Sequence, residues 1–153
     1  MESAVLNQNA SLTAAAPEAA PATTPELSRA RRWTGRVLTG IAGLFLVVDA
    51  LAKIAEIAPV VQGSAELGYP LGTMAPIGWA LLVSTVLYLY PRTAFFGALL
   101  LTGYMGGAIA THVRVEHPLF THTLFPIYVA VLFWAALALR DRRLEGIIRQ
   151  TFK

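Results

Sequence analysis

The sequence predicts an all-α protein: an antiparallel bundle of four transmembrane helices behind a disordered N-terminal tail. Three observations carry this. First, 56% of the 153 residues are hydrophobic and only 14% are charged, where a soluble domain carries roughly 25% charged residues. Most of the chain therefore does not face water, and the length allows one domain. Second, the apolar residues fall into four long runs that are apolar on every side. Third, Lys and Arg gather on one side of the bundle those runs would make.

Residues 1–28 form the predicted tail. The stretch SAVLNQNASLTAAAPEAAPATTPELS is low-complexity Ala/Pro/Thr with no apolar period, a composition that cannot bury enough surface to fold. A signal peptide does not fit: Glu2 stands where a basic start is needed, and no continuous apolar core occurs before residue 37. The membrane domain is assigned to residues 29–146, and residues 147–153 form a short basic tail. The C-terminal run RDRRLEGIIRQTFK suits anionic lipid head groups better than nucleic acid.

The first span runs from Trp33 to about Lys53, with a charge-free stretch from Val37 to Val48. The second is Leu71–Tyr90, the third Thr93–Thr111 and the fourth Pro118–Leu139, and these three contain no Asp, Glu, Lys or Arg. About 20 apolar residues cross a bilayer as a helix. A β-barrel is not indicated, because its strands show alternation over ~10 residues. The links Tyr90–Thr93 and Arg114–His117 are short, which makes the helices they join antiparallel neighbours. The link Ile57–Pro70 is longer, contains Gly63 and LGYP, and is expected to dip back towards the bundle. Pro76 and Pro126 lie inside the second and fourth spans, where a proline frees a backbone carbonyl one turn back; for Pro126 that acceptor would lie near His122.

Orientation follows from the basic residues. Arg29, Arg31, Arg32, Arg36, Arg92, Arg140, Arg142, Arg143, Arg149 and Lys153 fall on one side, and Lys53 and Arg114 on the other. Both termini are accordingly expected on the cytoplasmic face of a membrane, with a bacterial inner membrane as the reading. On the third span, Gly103 and Gly107 are spaced small-xxx-small and Gly106 adjoins them, so all three are expected to allow close helix packing.

The polar residues that remain converge on the outer end. Asp49, Lys53 and Glu56 lie at i, i+4 and i+7, one face over two turns, and Asp before Lys at i+4 favours an intrahelical pair. A charge at the depth of Asp49 usually faces the bundle interior and has a partner. His112 and Arg114 end the third span, and His122 follows the start of the fourth. Antiparallel packing places these six residues together as candidates for a ligand-binding site, with Glu66, Tyr69, Glu116 and His117 near them. Ordinary interfacial placement of the long charged side chains is the competing explanation. The three histidines are separated by five and five, which is no metal signature, so no metal site is assigned. No Ser/His/Asp set, phosphate loop or HExxH motif occurs, and no catalytic residue is assigned. The absence of Cys removes disulfides, thioether-linked haem, cysteine-held iron–sulfur clusters and thiol nucleophiles.

The LGYP link (67–70) and the run PRTAFFGALLLTGYMGGAIATHVRVEHPLFTHTLFPIYVAVLFWAALALRDRRL (91–144) resemble the DoxX-like family of small four-helix membrane proteins. The resemblance covers roughly residues 36–146 and is most specific in GYMGGAIATHVR, with Gly106, Gly107, His112 and Pro118 matching its pattern. A small or acidic residue usually precedes that proline, where this chain has His117, so the resemblance favours His112 over His117. The wider group includes a subunit of a thiosulfate:quinone oxidoreductase and members linked to membrane redox and stress responses. It implies no agreed catalytic set.

The function expected from all this is a redox-associated accessory subunit, not a stand-alone enzyme. It would bind a quinone-like or other small amphiphile at a polar pocket on the non-cytoplasmic side, with quinone as the cofactor to consider. The implied partners are the lipid bilayer, a membrane or redox subunit, and a second copy of the chain, with no nucleic acid. A non-enzymatic assembly or stability partner is the alternative, and a small proton-coupled carrier the third reading.

Overall fold

The computed structural model describes residues 29–141, so the predicted disordered tail 1–28 and the basic residues beyond Asp141 lie outside the described residues. The described chain is helical: α1 (Arg29–Ile54), α2 (Ala58–Glu66), α3 (Met74–Leu89), α4 (Ala94–Arg114) and α5 (Phe125–Arg140), with one π turn at Leu119–Thr123 ahead of α5. Three stretches are long and apolar enough to cross a membrane: Arg29–Ile54, Ala94–Arg114 and Leu119–Arg140.

The second expected span is shorter than predicted. Helix α3 has 16 residues, about 24 Å at 1.5 Å per residue, against a hydrocarbon core of about 30 Å. The cause lies just before it. Gly68 and Gly72 take φ of 74° and 81°, a left-handed backbone that glycine adopts without strain. The chain stays in turns until Thr73, and Leu71 is left exposed. The first link also holds α2, a helix the sequence did not suggest.

The four long helices pack in a ring. Helix α1 lies between α3 and α5, and α4 closes the ring on the other side. Each helix buries one stripe at i, i+3, i+4, i+7 spacing, such as Ala42, Gly43, Leu46 and Ala50 on α1 and Ala94, Gly97, Ala98 and Leu101 on α4. Lipid tails are as apolar as these side chains, so the hydrophobic effect does little to bring spans together, and close packing and hydrogen bonds do more. Both concentrate at one end. Tyr88 is fully buried. Its hydroxyl donates to the Phe133 carbonyl at 3.0 Å, and its ring meets Phe133 edge-on at 5.8 Å. Its own carbonyl accepts from Arg140 at 2.6 Å, whose guanidinium also sits 5.1 Å from the ring centre.

The glycines that permit close approach are not those expected. A Cβ on Gly97 would lie 2.1 Å from the Tyr88 nitrogen, and one on Gly78 would lie 2.9 Å from the Ala50 carbonyl oxygen. Around Gly103, Gly106 and Gly107, by contrast, an added Cβ meets nothing within 4 Å. The buried stripe of α4 runs through Ala94, Gly97, Ala98, Leu101 and Met105, a different face, so the packing role expected for these three glycines is not met within the chain.

The two prolines also act differently from the expectation. Pro126 is in the first turn of α5 and Pro76 is the third residue of α3. There the missing N–H is one that no helical carbonyl would have met. Both start helices, and no carbonyl is freed beside His122 by a mid-helix kink.

Gly97→Ala is expected to destabilise the protein by about 1–3 kcal/mol, the usual range for overpacking, while Gly103→Ala stays within about 0.5 kcal/mol of wild type. Thermal unfolding in detergent of the two variants checks the contrast.

Candidate functional site

The helix ends opposite Tyr88 enclose a cavity of about 430 Å³. Its polar floor comes from Asp49 and Lys53 on α1, Tyr69 on the link, and Tyr104, Thr111 and His112 on α4. Its apolar walls include Phe45, Met74, Ile77, Met105, Phe125 and Val129. Gly107 also lines it, and the lack of a side chain there leaves that wall open.

Each polar group is placed by local structure. Asp49 lies five residues before the end of α1 at Ile54, about 7–8 Å along the axis. It forms an ion pair with Lys53, and both side chains are partly buried. Asp49 and Tyr69 lie within electrostatic reach of the Tyr104 hydroxyl, which makes no hydrogen bond to another described residue. A half-buried hydroxyl without a protein partner leaves one donor and its lone pairs for a ligand or water. Tyr69 Oη and Thr111 Oγ1 are hydrogen-bonded at 2.8 Å, and Arg114 donates to the Leu67 carbonyl. These two bonds hold the Leu67–Pro70 segment against the end of α4, and Leu67 and Tyr69 face the cavity.

Of the six candidate residues, three line the cavity: Asp49, Lys53 and His112. Arg114 sits at the end of α4 and fastens the link instead. His122 is exposed on the π turn, bonded to the Thr121 hydroxyl at 2.8 Å, with its ring against those of His112 and His117. Glu56 leaves the expected face altogether. Helix α1 ends at Ile54, and Glu56 takes φ of 45°, so the i+7 register is broken. Its Oε1 is buried with no partner among the described residues. Asp49 and His112 share the cavity but are bonded to others: Asp49 to Lys53, and His112 to His117 at 2.9 Å between the Nδ1 atoms. Among the described residues no group of three or more His, Cys, Asp or Glu is placed to hold a metal ion.

The sequence pattern does not mark Met74, Ile77 and Met105 as cavity residues. Their helices are apolar on all sides, so nothing in the pattern separates a cavity wall from a lipid-facing surface. The i, i+4, i+7 series Tyr104, Ala108, Thr111 was the available signal for the floor.

The DoxX-like family model matches residues 37–136. The chain belongs to the DoxX-like family. The match takes in most of α1, all of α3 and α4 and most of α5, and so every helix that walls the cavity of this DoxX-like protein. No curated protein and no solved structure matches the chain. The family and the apolar helices together make it an integral membrane protein.

Removing one member of the Asp49–Lys53 pair strands the other. Lys53→Met is expected to lower stability by about 1–3 kcal/mol, the cost of an unsatisfied polar group, discounted for partial exposure. The double variant Asp49→Asn/Lys53→Met should recover part of that loss. A double-mutant cycle on thermal unfolding reads the coupling.

Proposed function

We propose that this DoxX-like protein binds a small amphiphile with a quinone-like head in the cavity and serves as an accessory subunit to a membrane redox partner. The observation that carries the reading is the cavity itself. About 430 Å³ falls within the usual range for a small-molecule site, roughly 300–1,000 Å³, and its few polar groups sit at one end of an apolar, aromatic and thioether wall.

The chemistry suits a neutral head. Asp49 and Lys53 cancel each other, so a charged ligand would enter without a counter-ion, which burial penalises. A quinone ring is flat and apolar with two carbonyl acceptors. The Tyr104 hydroxyl can donate to one, and an unengaged ring nitrogen of His112 is within the same cavity for the other. The tail would leave past Gly107 into lipid. The protein would hold and orient the head, and electrons would pass to or from the partner subunit. Arg29, Arg31, Arg32, Arg36, Arg92 and Arg140 lie at the opposite end of the helices, which supports a cavity opening on the non-cytoplasmic side.

A second reading, an assembly or stability partner without a ligand, is favoured by Gly103 and Gly106, which are exposed with open space around them and would accept a partner helix at close range.

Lipid extracts of the purified protein should contain quinone, and a benzoquinone with a decyl tail should raise the melting temperature. At a hundredfold excess over Kd the stabilisation is about 2.7 kcal/mol. Gly107→Leu, which fills the cavity without meeting a neighbour at its Cβ, should abolish the shift while leaving the ligand-free melting temperature unchanged. Tyr104→Phe should weaken binding roughly tenfold, the worth of one hydrogen bond. Absence of quinone from the extract together with no shift in wild type sinks the ligand reading.

A further inference from the structure

All three histidines of the chain meet beside the cavity. His112 lies in the last turn of α4, His117 in the loop that follows, and His122 in the π turn. Their ring centroids are 5.1 Å apart for His112 and His117, 5.9 Å for His112 and His122, and 5.0 Å for His117 and His122. His112 and His117 are joined Nδ1 to Nδ1 at 2.9 Å. Such a bond forms only when one of the two nitrogens carries a proton and the other does not. The backbone reinforces the join: His117 N–H donates to the His112 carbonyl at 3.1 Å, and the His117 carbonyl accepts from Thr123 Oγ1 at 3.3 Å. The imidazole bond thus joins the end of α4 to the loop, and the Thr123 hydroxyl joins the loop to the π turn.

The geometry points to a proton-operated latch: the His112–His117 bond, with His122 against both rings, holds the cavity's wall at His112 in place at neutral pH and lets go when both imidazoles are protonated. The neutral pair keeps the bond, and so does the pair with one added proton, since one N–H still meets one lone pair; only with both rings as imidazolium do two N–H groups face each other and two positive charges share the contact. Most of the other charged groups around the cluster are committed elsewhere. On α1, Asp49 and Lys53 are paired with each other. On the link, Tyr69 is bonded to Thr111. On α4, Arg114 is bonded to Leu67 and Tyr104 faces Asp49. Glu116, in the loop, is exposed. Helix α3 and helix α5 offer the cavity only apolar side chains, Met74, Ile77, Phe125, Pro126 and Val129. Among the described residues no carboxylate forms an ion pair with any of the three imidazoles. Imidazole is the side chain that changes charge nearest neutrality, so the comparison is made at pH 7.5 and 5.0.

The consequence for ligand affinity rests on the amphiphile reading given above; the latch itself does not. The full chain, purified without a histidine tag and reconstituted in nanodiscs, is compared at pH 7.5 and 5.0 in two ways. Hydrogen–deuterium exchange of peptides covering residues 111–123, without ligand and scaled by intrinsic rates, should speed up severalfold at pH 5.0 in wild type. His117→Asn keeps a donor and acceptor near the Nδ1 position but does not titrate, and should stay protected at both values. His117→Phe should exchange fast at both. Equal protection of wild type at the two pH values, or the same acid-induced opening in His117→Asn, overturns the latch. Titration with the decyl benzoquinone then reads the coupling: wild type should bind roughly tenfold more weakly at pH 5.0, the loss of about one hydrogen bond, and His117→Asn should bind equally at both. Failure to bind at either pH, with exchange still pH-dependent, counts against the ligand reading and leaves the latch standing.

Discussion

The bundle depends on the junction around Tyr88. In a bilayer, apolar surface gives helices little reason to leave lipid for one another, so association needs close backbone approach and polar groups that must be satisfied. Tyr88 supplies both. Its backbone lies against Gly97, its hydroxyl bonds across the core to α5, and its carbonyl anchors Arg140. Three of the four long helices are fixed at one end by one residue, and α1 joins them there through Gly35, whose absent side chain leaves room for the backbone at Leu139 and Arg140.

With that end closed, the other can stand open. There α4 carries Gly103, Gly106 and Gly107, which no neighbour fills, and the long link from α1 to α3 bends over the gap, held by Tyr69 and Arg114. The cavity is the space left between a closed junction and a fastened strap. Its polar groups are arranged so that the costly ones are already paired: Asp49 with Lys53, His112 with His117. What remains unengaged is the Tyr104 hydroxyl and one ring nitrogen of His112, both on the cavity. That division, charges settled and a neutral donor free, is what connects the packing to the proposed ligand.

Much of this was legible in the sequence. The apolar runs fixed the class, the links fixed which helices are neighbours, and Asp49, Lys53 and His112 were drawn from the few polar residues inside spans. The misses have physical causes. A helix that is apolar all round carries no periodic signal for its buried side, so Met74, Ile77 and Met105 cannot be told from lipid-facing residues, and nothing in the pattern marks Gly78 and Gly97 as the glycines packed within the chain. Glu56 followed from extending α1 two residues too far, past a turn with positive φ. The start of α3 was set too early because Leu71 continues the apolar run while the glycines on either side of the Tyr69–Leu71 segment hold the chain in turns. The histidine spacing argued against a metal, yet spacing along the chain did not reveal that the loop and π turn fold all three rings together.

The decisive observation would be the place where a bound amphiphile touches the chain. A photoreactive benzoquinone with a decyl tail, crosslinked to the protein in nanodiscs and mapped by mass spectrometry, should label Tyr104–His112 and Phe125–Val129, with the label competed away by unmodified quinone. Labelling confined to residues exposed on the outside of the bundle, such as Trp79, Val83 and Val131, and unaffected by competitor, would mean that the cavity is not a binding site.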